Sequence, residues 1–470
     1  MTYRNKTRRV TSRLFLMLLL VTGAAWGQSG TISSTNFGMQ CGIGVSTNCP
    51  NYTLPTRQAK PGFFRLWDSA TYWAVLQPQS TKFTGCSDIQ QVSGVNTYCW
   101  DHLDSWLDAI AGDSSITAVD YDFGGTPCQI VTVSGLSCGD GPPSDPDGLP
   151  APPNDLTSSG SPSFNNFVSN LTTHCSPNGN CVATIIKYYE MWNEPNGQFW
   201  AANGTESQLE EMIFPARSTI WSNVTGAGVM TPGFAVGPSN NYSTWVQNWL
   251  NAENSNGTRS NALAFHVYLA NQKPETQYLC YILATTSSAA STCNNATLPS
   301  FLYIKDNTTG WGSKPWLNTE TNFNGSNFTC TSTTADCTGQ VVRWQLLQDS
   351  SGASSVDWYY WNTTIGGNTN YEPAYYYMMQ YLEGGKFTST CSNATGTIWT
   401  CPFTDTNSNA DLWVWTTNTT AQSYSPPSGY INYWIVAGSS AGTCAAIPGT
   451  SFTVTVEPYL LVKTSCSVQP

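Results

Sequence analysis

Two glutamates stand in surroundings that suit proton transfer and nucleophilic attack. Glu194 lies in Tyr188-Tyr189-Glu190-Met191-Trp192-Asn193-Glu194-Pro195-Asn196, at the end of an apolar, strand-like run. Glu320 lies 126 residues later in Lys314-Pro315-Trp316-Leu317-Asn318-Thr319-Glu320-Thr321-Asn322, again where an apolar run ends. A carboxyl lodged among Trp and Pro is partly desolvated; burial disfavours its charged form, raises its pKa and suits it to act as a general acid. Two such groups on opposite sides of one cleft can flank a glycosidic bond. At about 5–5.5 Å apart they act with retention of configuration; at about 6.5–9.5 Å they leave room for a water and invert.

Neighbouring residues divide into helpers and structural parts. Asn193, beside Glu194, is placed to hydrogen-bond a sugar hydroxyl. Glu190 precedes Glu194 by four residues on a strand, so both point to one face; we expect Glu190 deeper, in an ion pair. Trp361 is weighed evenly between a sugar platform and a core residue. Glu372, in Tyr371-Glu372-Pro373, is expected in a loop, and His102 and His174 are expected to be structural.

The elements that must position these groups recur along the chain. Strand-like runs lie at 37–40, 62–67, 116–123, 184–191, 234–237, 263–269, 315–319 and 355–361. Helix-like stretches lie between several of them, at 102–111, 164–174, 206–221, 243–252 and 339–350. Strands alternating with helices predict parallel βα units, and eight of them predict a (β/α)8 TIM barrel, whose functional side chains project from the C-terminal strand ends. The Pro/Gly/Ser/Asp-rich stretch at 139–162 reads as a long loop after the third strand. From about residue 385 helix signals stop. Runs at 411–416, 430–436 and 451–456 predict a small antiparallel β-sandwich, the last with Phe452, Val454 and Val456 on one face. The expected organisation is therefore a signal peptide (1–27), a catalytic barrel (28–384) and an accessory β-sandwich (385–470).

Composition sets the compartment and limits the partners. Arg4, Lys6, Arg8, Arg9 and Arg13 precede a short apolar run and Ala25-Trp26-Gly27, the pattern of a cleaved export signal. The run is too short to span a bilayer, so no membrane span is expected once it is removed. The formal charge of −11 becomes −16 without those five basic residues, which argues against nucleic acid as a partner. Sixteen cysteines follow the signal in close sequential pairs: Cys41/Cys49, Cys86/Cys99, Cys128/Cys138, Cys175/Cys181, Cys280/Cys293, Cys330/Cys337, Cys391/Cys401 and Cys444/Cys466. In an exported chain they imply local disulfides, with connectivity left open by sequence. With no Cys-x-x-Cys and three histidines, no metal or other cofactor is expected. Charged residues are 10% and aromatic residues 13%, so the surface is largely Asn, Thr, Ser and Gln, and some rings are available to stack on sugars. The expected location is secreted, periplasmic or cell-surface, and the expected partner an oligo- or polysaccharide.

Trp192-Asn193-Glu194-Pro195-Asn196 after the fourth strand, with Thr319-Glu320-Thr321-Asn322 after the seventh, resembles clan A glycoside hydrolases. The pair is most similar to family 39, which includes β-xylosidases and exopolysaccharide glycosidases. The resemblance covers the mature chain to about residue 384. It departs at Thr321, where that family usually has an aromatic residue. The resemblance implies retention by double displacement, with Glu320 as nucleophile and Glu194 as acid/base. Arg65 matches the clan arginine ending the second strand, and His266-Val267-Tyr268 matches the clan's His-x-Tyr. Tyr268 is then placed to donate to Glu320, and His266 to line the cleft near Glu194. The alternative is a non-catalytic carbohydrate-binding surface protein on a barrel scaffold; the presence of both glutamates counts against it.

Overall fold

The computed structural model describes residues 30–41, 54, 57–79, 83–139, 148–237, 241–283, 299–323, 329–366, 368–393, 396–438 and 440–466. The expected signal segment lies outside these residues, as do Cys49 and Cys293.

One parallel sheet dominates. Its strands in chain order are Phe37–Gln40, Phe63–Leu66, Ala118–Asp122, Tyr188–Glu190, Gly228–Met230, Phe234–Ala235, Leu263–His266, Trp316–Thr321 and Ala353–Trp358. These nine segments fill eight barrel positions. The two that end the ladder, Gly228–Met230 and Phe234–Ala235, are halves of one interrupted strand. Parallel bridges Asn193–Gly233 and Met230–Ala262 join them to the strands on either side and close the barrel. The expected fifth strand, at 234–237, is the second half only.

Period-two alternation sorts the barrel interior into layers. Phe63, Ala118, Met230, Ala264 and Leu317 pack together as an apolar floor. Two residues beyond Phe63, Ala118 and Ala264, at Arg65, Asp120 and His266, the interior turns polar. Register sets Gln40 beside Arg65, Arg65 beside Asp120, Asp122 beside Glu190 and His266 beside Glu320. The opposite strand faces carry Phe64, Val119, Tyr189 and Phe265, all buried under the helical layer.

That layer contains Asp101–Ala111, Pro162–Thr173, Glu206–Asn223, Tyr242–Asn256 and Thr334–Asp349, each over a stretch predicted helical. Local chemistry fixes their starts. Ser161 accepts from the Phe164 amide with Pro162 in the first turn, and Thr205 and Gln208 form a reciprocal capping box. One further helix corrects an expectation. Tyr371–Leu382 carries Glu372 in its first turn, so Glu372 is helical rather than in a loop. Its carboxylate accepts from the Gln58 and Ala59 amides and pins the segment before the second barrel strand. His174 does prove structural: Nε2 lies 2.6 Å from Asp104 Oδ1, and the ring stacks on Trp100.

Beyond the barrel, the strands Lys386–Phe387, Ile398–Thr404, Ala410–Thr416, Tyr459–Val462, Asn432–Ile435 and Thr443–Ala446 lie side by side in that order as an antiparallel sheet. A second ladder pairs Gln422–Tyr424 with Phe452–Val454. Leu412, Val414, Phe452, Val454 and Leu461 bury one another between the two layers. Six expected disulfides are formed: Cys86–Cys99, Cys128–Cys138, Cys175–Cys181, Cys330–Cys337, Cys391–Cys401 and Cys444–Cys466. Cys41 and Cys280 are also bonded. No helix among the described residues is long and apolar enough to cross a membrane.

Candidate active site

Arg65 is the hub of the polar layer. Fully buried, it donates through Nη1 to Glu320 Oε2 at 2.7 Å and to Gln40 Oε1 at 3.0 Å. Through Nη2 it meets Asp122 at 2.6 Å, Glu190 at 2.8 Å and Asn193 Oδ1 at 3.0 Å. Burial works against a charged guanidinium, but Glu190, Asp122, Glu320 and Asp120 outweigh it, so Arg65 holds its proton more tightly than usual. Glu190 is in the ion pair expected of it. Although burial pushes its carboxyl up, Arg65 and His266 pull it down to about 2.

His266 links the two ends of the site. Nδ1 lies 3.0 Å from Glu194 Oε1 and 3.9 Å from Glu320 Oε2, and Nε2 lies 3.1 Å from Glu190 Oε1. Burial opposes its charge. Glu320, then hydrogen bonds to Glu190 and Glu194, more than reverse that and raise it to about 9 despite Arg65 nearby. A value of about 9 favours a charged ring at neutral pH, with Nδ1 facing Glu194 and Nε2 facing both Glu190 and the Arg65 guanidinium, 3.1 Å away. One oxygen of Glu194, one of Glu320 and a ring nitrogen of His266 all lie within 4.8 Å of one another.

The two glutamates are unequal. The Glu194 side chain is 20% exposed and touches His266 from the cleft side. Glu320 is 7% exposed, gripped by Arg65 at Oε2, with the Tyr268 hydroxyl donating to Oε1. Burial pushes the Glu320 carboxyl up; His266 and Arg65 pull it back, and Glu194 pushes it up again.

Glu194 is presented by a strained turn. Trp192 has φ 154° and Glu194 φ 39°, both left-handed conformations rare for these residue types. Neighbours hold the turn in place. The Asn193 amide donates to Phe123, the Glu194 amide to Gly233, and Gly233 back to Trp192. Trp192 Nε1 donates to the Phe199 carbonyl. Non-glycine strain of this kind persists where its surroundings over-determine it, typically at functional sites.

Of the residues singled out in the sequence, Arg65, Asn193, Glu194, His266, Tyr268 and Glu320 converge here. Trp361 does not. It is fully buried against Tyr375 and cannot serve as a sugar platform. The aromatic residues at that strand end are Tyr359 and Tyr360, with Asp68 beneath them; sequence reading missed all three. It also missed Asp122 and Gln40, although period-two alternation with Asp120 and Gly38 places each on the inner face.

No family model matches the chain, and no curated protein sequence matches it. Solved structures do. The catalytic domain of GH30 xylanase C from Talaromyces cellulolyticus is similar at 13% identity and TM-score 0.57, over 93% of this chain and 98% of that one. A family 39 glycoside hydrolase from Bacteroides cellulosilyticus gives 12% and 0.55, over 93% of this chain and 82% of that one. A GH39 β-xylosidase from Caulobacter crescentus gives 12% and 0.54, over 93% and 98%. At such identities the likeness establishes the fold. The chain shares its barrel fold with these glycoside hydrolases, the group its two motifs resemble.

Proposed function

We propose that the chain is a secreted glycoside hydrolase that cleaves β-linked glycans with retention, through a covalent glycosyl-enzyme. The observation that carries this reading is the carboxylate pair. One oxygen of Glu194 and one of Glu320 lie within 4.8 Å, close enough to flank one glycosidic bond and compatible with the roughly 5–5.5 Å carboxyl separation of retaining enzymes. Six disulfides support export.

The surroundings of each glutamate suit its role. Glu320 attacks the anomeric carbon as a carboxylate while Arg65 and Tyr268 fix its two oxygens. Glu194, the more exposed, gives its proton to the departing glycosidic oxygen as the bond to the anomeric carbon breaks. The product is a glycosyl ester on Glu320. A water then enters and Glu194 takes its proton. The water oxygen attacks the anomeric carbon, and Glu320 leaves as a carboxylate. His266, held between Glu190 and Glu194, fixes the Glu194 carboxyl in place through the 3.0 Å contact to Oε1. Asn193, held by Arg65, faces the sugar.

Aryl β-glycoside hydrolysis by the wild type, Glu194→Ala and Glu320→Ala tests this. Each substitution lowers kcat by about a thousandfold or more. Azide restores turnover in Glu320→Ala with inverted product. Full activity in Glu320→Ala would refute the mechanism.

A further inference from the structure

Asp68 follows Trp67 at the end of the strand Phe63–Leu66 and is 4% exposed. Its carboxylate accepts from three phenols. Tyr72 donates to Oδ1 and Tyr359 to Oδ2, and the Tyr360 hydroxyl lies 3.3 Å from the same Oδ2. Tyr359 and Tyr360 are consecutive, yet their rings stack with centroids 4.0 Å apart and planes at 21°. Successive side chains on a strand point to opposite faces, so this stack needs a break in the backbone. The break is at Tyr360, whose φ is 52°; its partner Asp68 is also left-handed, at 54°. Two strained non-glycine residues, joined by one hydrogen bond, thus turn two neighbouring rings to the same side.

This stack adjoins the carboxylate pair. The Tyr359 ring lies 6.5 Å from the Tyr268 ring at 76°, and Tyr268 donates to Glu320. Trp67, with Tyr72 at 4.4 Å and Phe199 at 5.5 Å, backs the same wall. Tyr268 and Tyr360 remain partly exposed while Tyr359 is 7% exposed, so Tyr360 is the ring this stack presents.

We propose that Asp68 is a positioning residue that, with the buried Tyr359, fixes Tyr360 as the wall of the glycone subsite, and that this subsite selects uncharged sugars. The inference rests on the glycosidase reading above. Flat rings match the apolar face of a pyranose. A sugar carboxylate finds the opposite environment, because Glu194 and Glu320 lie together beside this wall. The two cations there, Arg65 and His266, are already engaged by carboxylates. Burying another anion among them is strongly unfavourable.

The test is kinetics on 4-nitrophenyl β-xyloside, β-glucoside, β-galactoside and β-glucuronide, with wild type, Asp68→Asn and Tyr360→Phe. The wild type prefers at least one neutral glycoside over the glucuronide by about a hundredfold or more in kcat/KM. Asp68→Asn raises KM for that glycoside about tenfold, leaves kcat within about threefold, and narrows the preference. Tyr360→Phe raises KM by a smaller factor. Preference for the glucuronide overturns the inference while leaving the glycosidase reading intact, as does an unchanged KM in Asp68→Asn. Should Asp68→Asn not fold, Tyr359→Phe and Tyr360→Phe carry the same KM test. Titration calorimetry with xylobiose separates the two claims. Binding by a wild type that hydrolyses nothing, weakened in Asp68→Asn, sustains the wall and refutes the hydrolase; no binding and no hydrolysis refutes both.

Discussion

At the residue scale, the site is a problem in charge. Arg65 and His266 face Asp120, Asp122, Glu190, Glu194 and Glu320 in a space largely closed to water. Burial, with Glu190 second, pushes Asp120 and Asp122 well above their ordinary value, while Arg65 pulls both back. Two pH effects follow. The nucleophile must be ionised, and burial raises Glu320, so kcat/KM falls on acidification through a pH above the ordinary Glu value of 4.5. Arg65→Gln removes a group that lowers Glu320, so the acid limb moves higher still, by about one pH unit or more, in a pH–rate profile. His266 has the opposite sign. Its pKa is raised on folding from 6.5 to about 9, so its stabilisation is complete below about 6.5 and is lost as pH rises through about 9. The melting-temperature gap between wild type and His266→Asn is therefore widest near about pH 6 and closes towards about pH 10. A gap that widens with pH would contradict a buried imidazolium.

At the element scale, the interrupted strand is what lets Glu194, Glu190 and His266 meet. Gly233 sits between its halves, and a Cβ there would meet the Glu190 carboxylate and the His266 ring. Gly233→Ala must displace one of them. Displacements of about 1 Å at such groups cost roughly a hundredfold in rate, so kcat/KM falls by that order while circular dichroism stays native. Activity unchanged in Gly233→Ala would mean that His266 is not held where the geometry has it. The same strand marks what was legible in sequence. Buried parallel strands read as apolar runs, so eight positions were visible, and Arg65 and His266 were found through the resemblance to the clan motifs. Gly228–Met230 was missed because three residues after a glycine carry no period. Trp361 was misjudged because the left-handed Tyr360 breaks alternation, turning both tyrosines to one side and sending Trp361 into the core. Glu372 was misread because Pro373 looks like a loop signal, although proline is well tolerated in the first turn of a helix. Close cysteine pairing gave the described bridges, since short loops favour local closure.

At the scale of the whole molecule, the barrel and the sandwich share one core. Phe387, Trp399, Phe403, Trp413, Trp415 and Trp434 belong to the same buried cluster as the barrel's outer strand faces. A buried polar clamp crosses the junction. Arg343, on the helix Thr334–Asp349, pairs with Asp336 at 2.5 Å and Glu275 at 3.1 Å, and Trp415 Nε1 donates to the same Glu275 at 2.7 Å. At Gly339, on that helix, a Cβ would meet the Val456 carbonyl, so helix and sandwich backbones touch. Such an arrangement does not suit a detachable accessory module. We therefore expect one cooperative unfolding transition by calorimetry, not two. A chain ending before Lys386 should be insoluble or molten, because it leaves the apolar side of the last barrel helices uncovered. Arg343→Met strands Glu275 and Asp336 as buried, unpaired anions, which destabilises by about 3–5 kcal/mol. None of the clamp's ion pairs or hydrogen bonds reaches Glu194 or Glu320, so hydrolysis by the variant stays near wild type at temperatures where it is folded. Two separate transitions, or a truncated barrel that melts like the intact chain, would show instead that the sandwich is an independent domain.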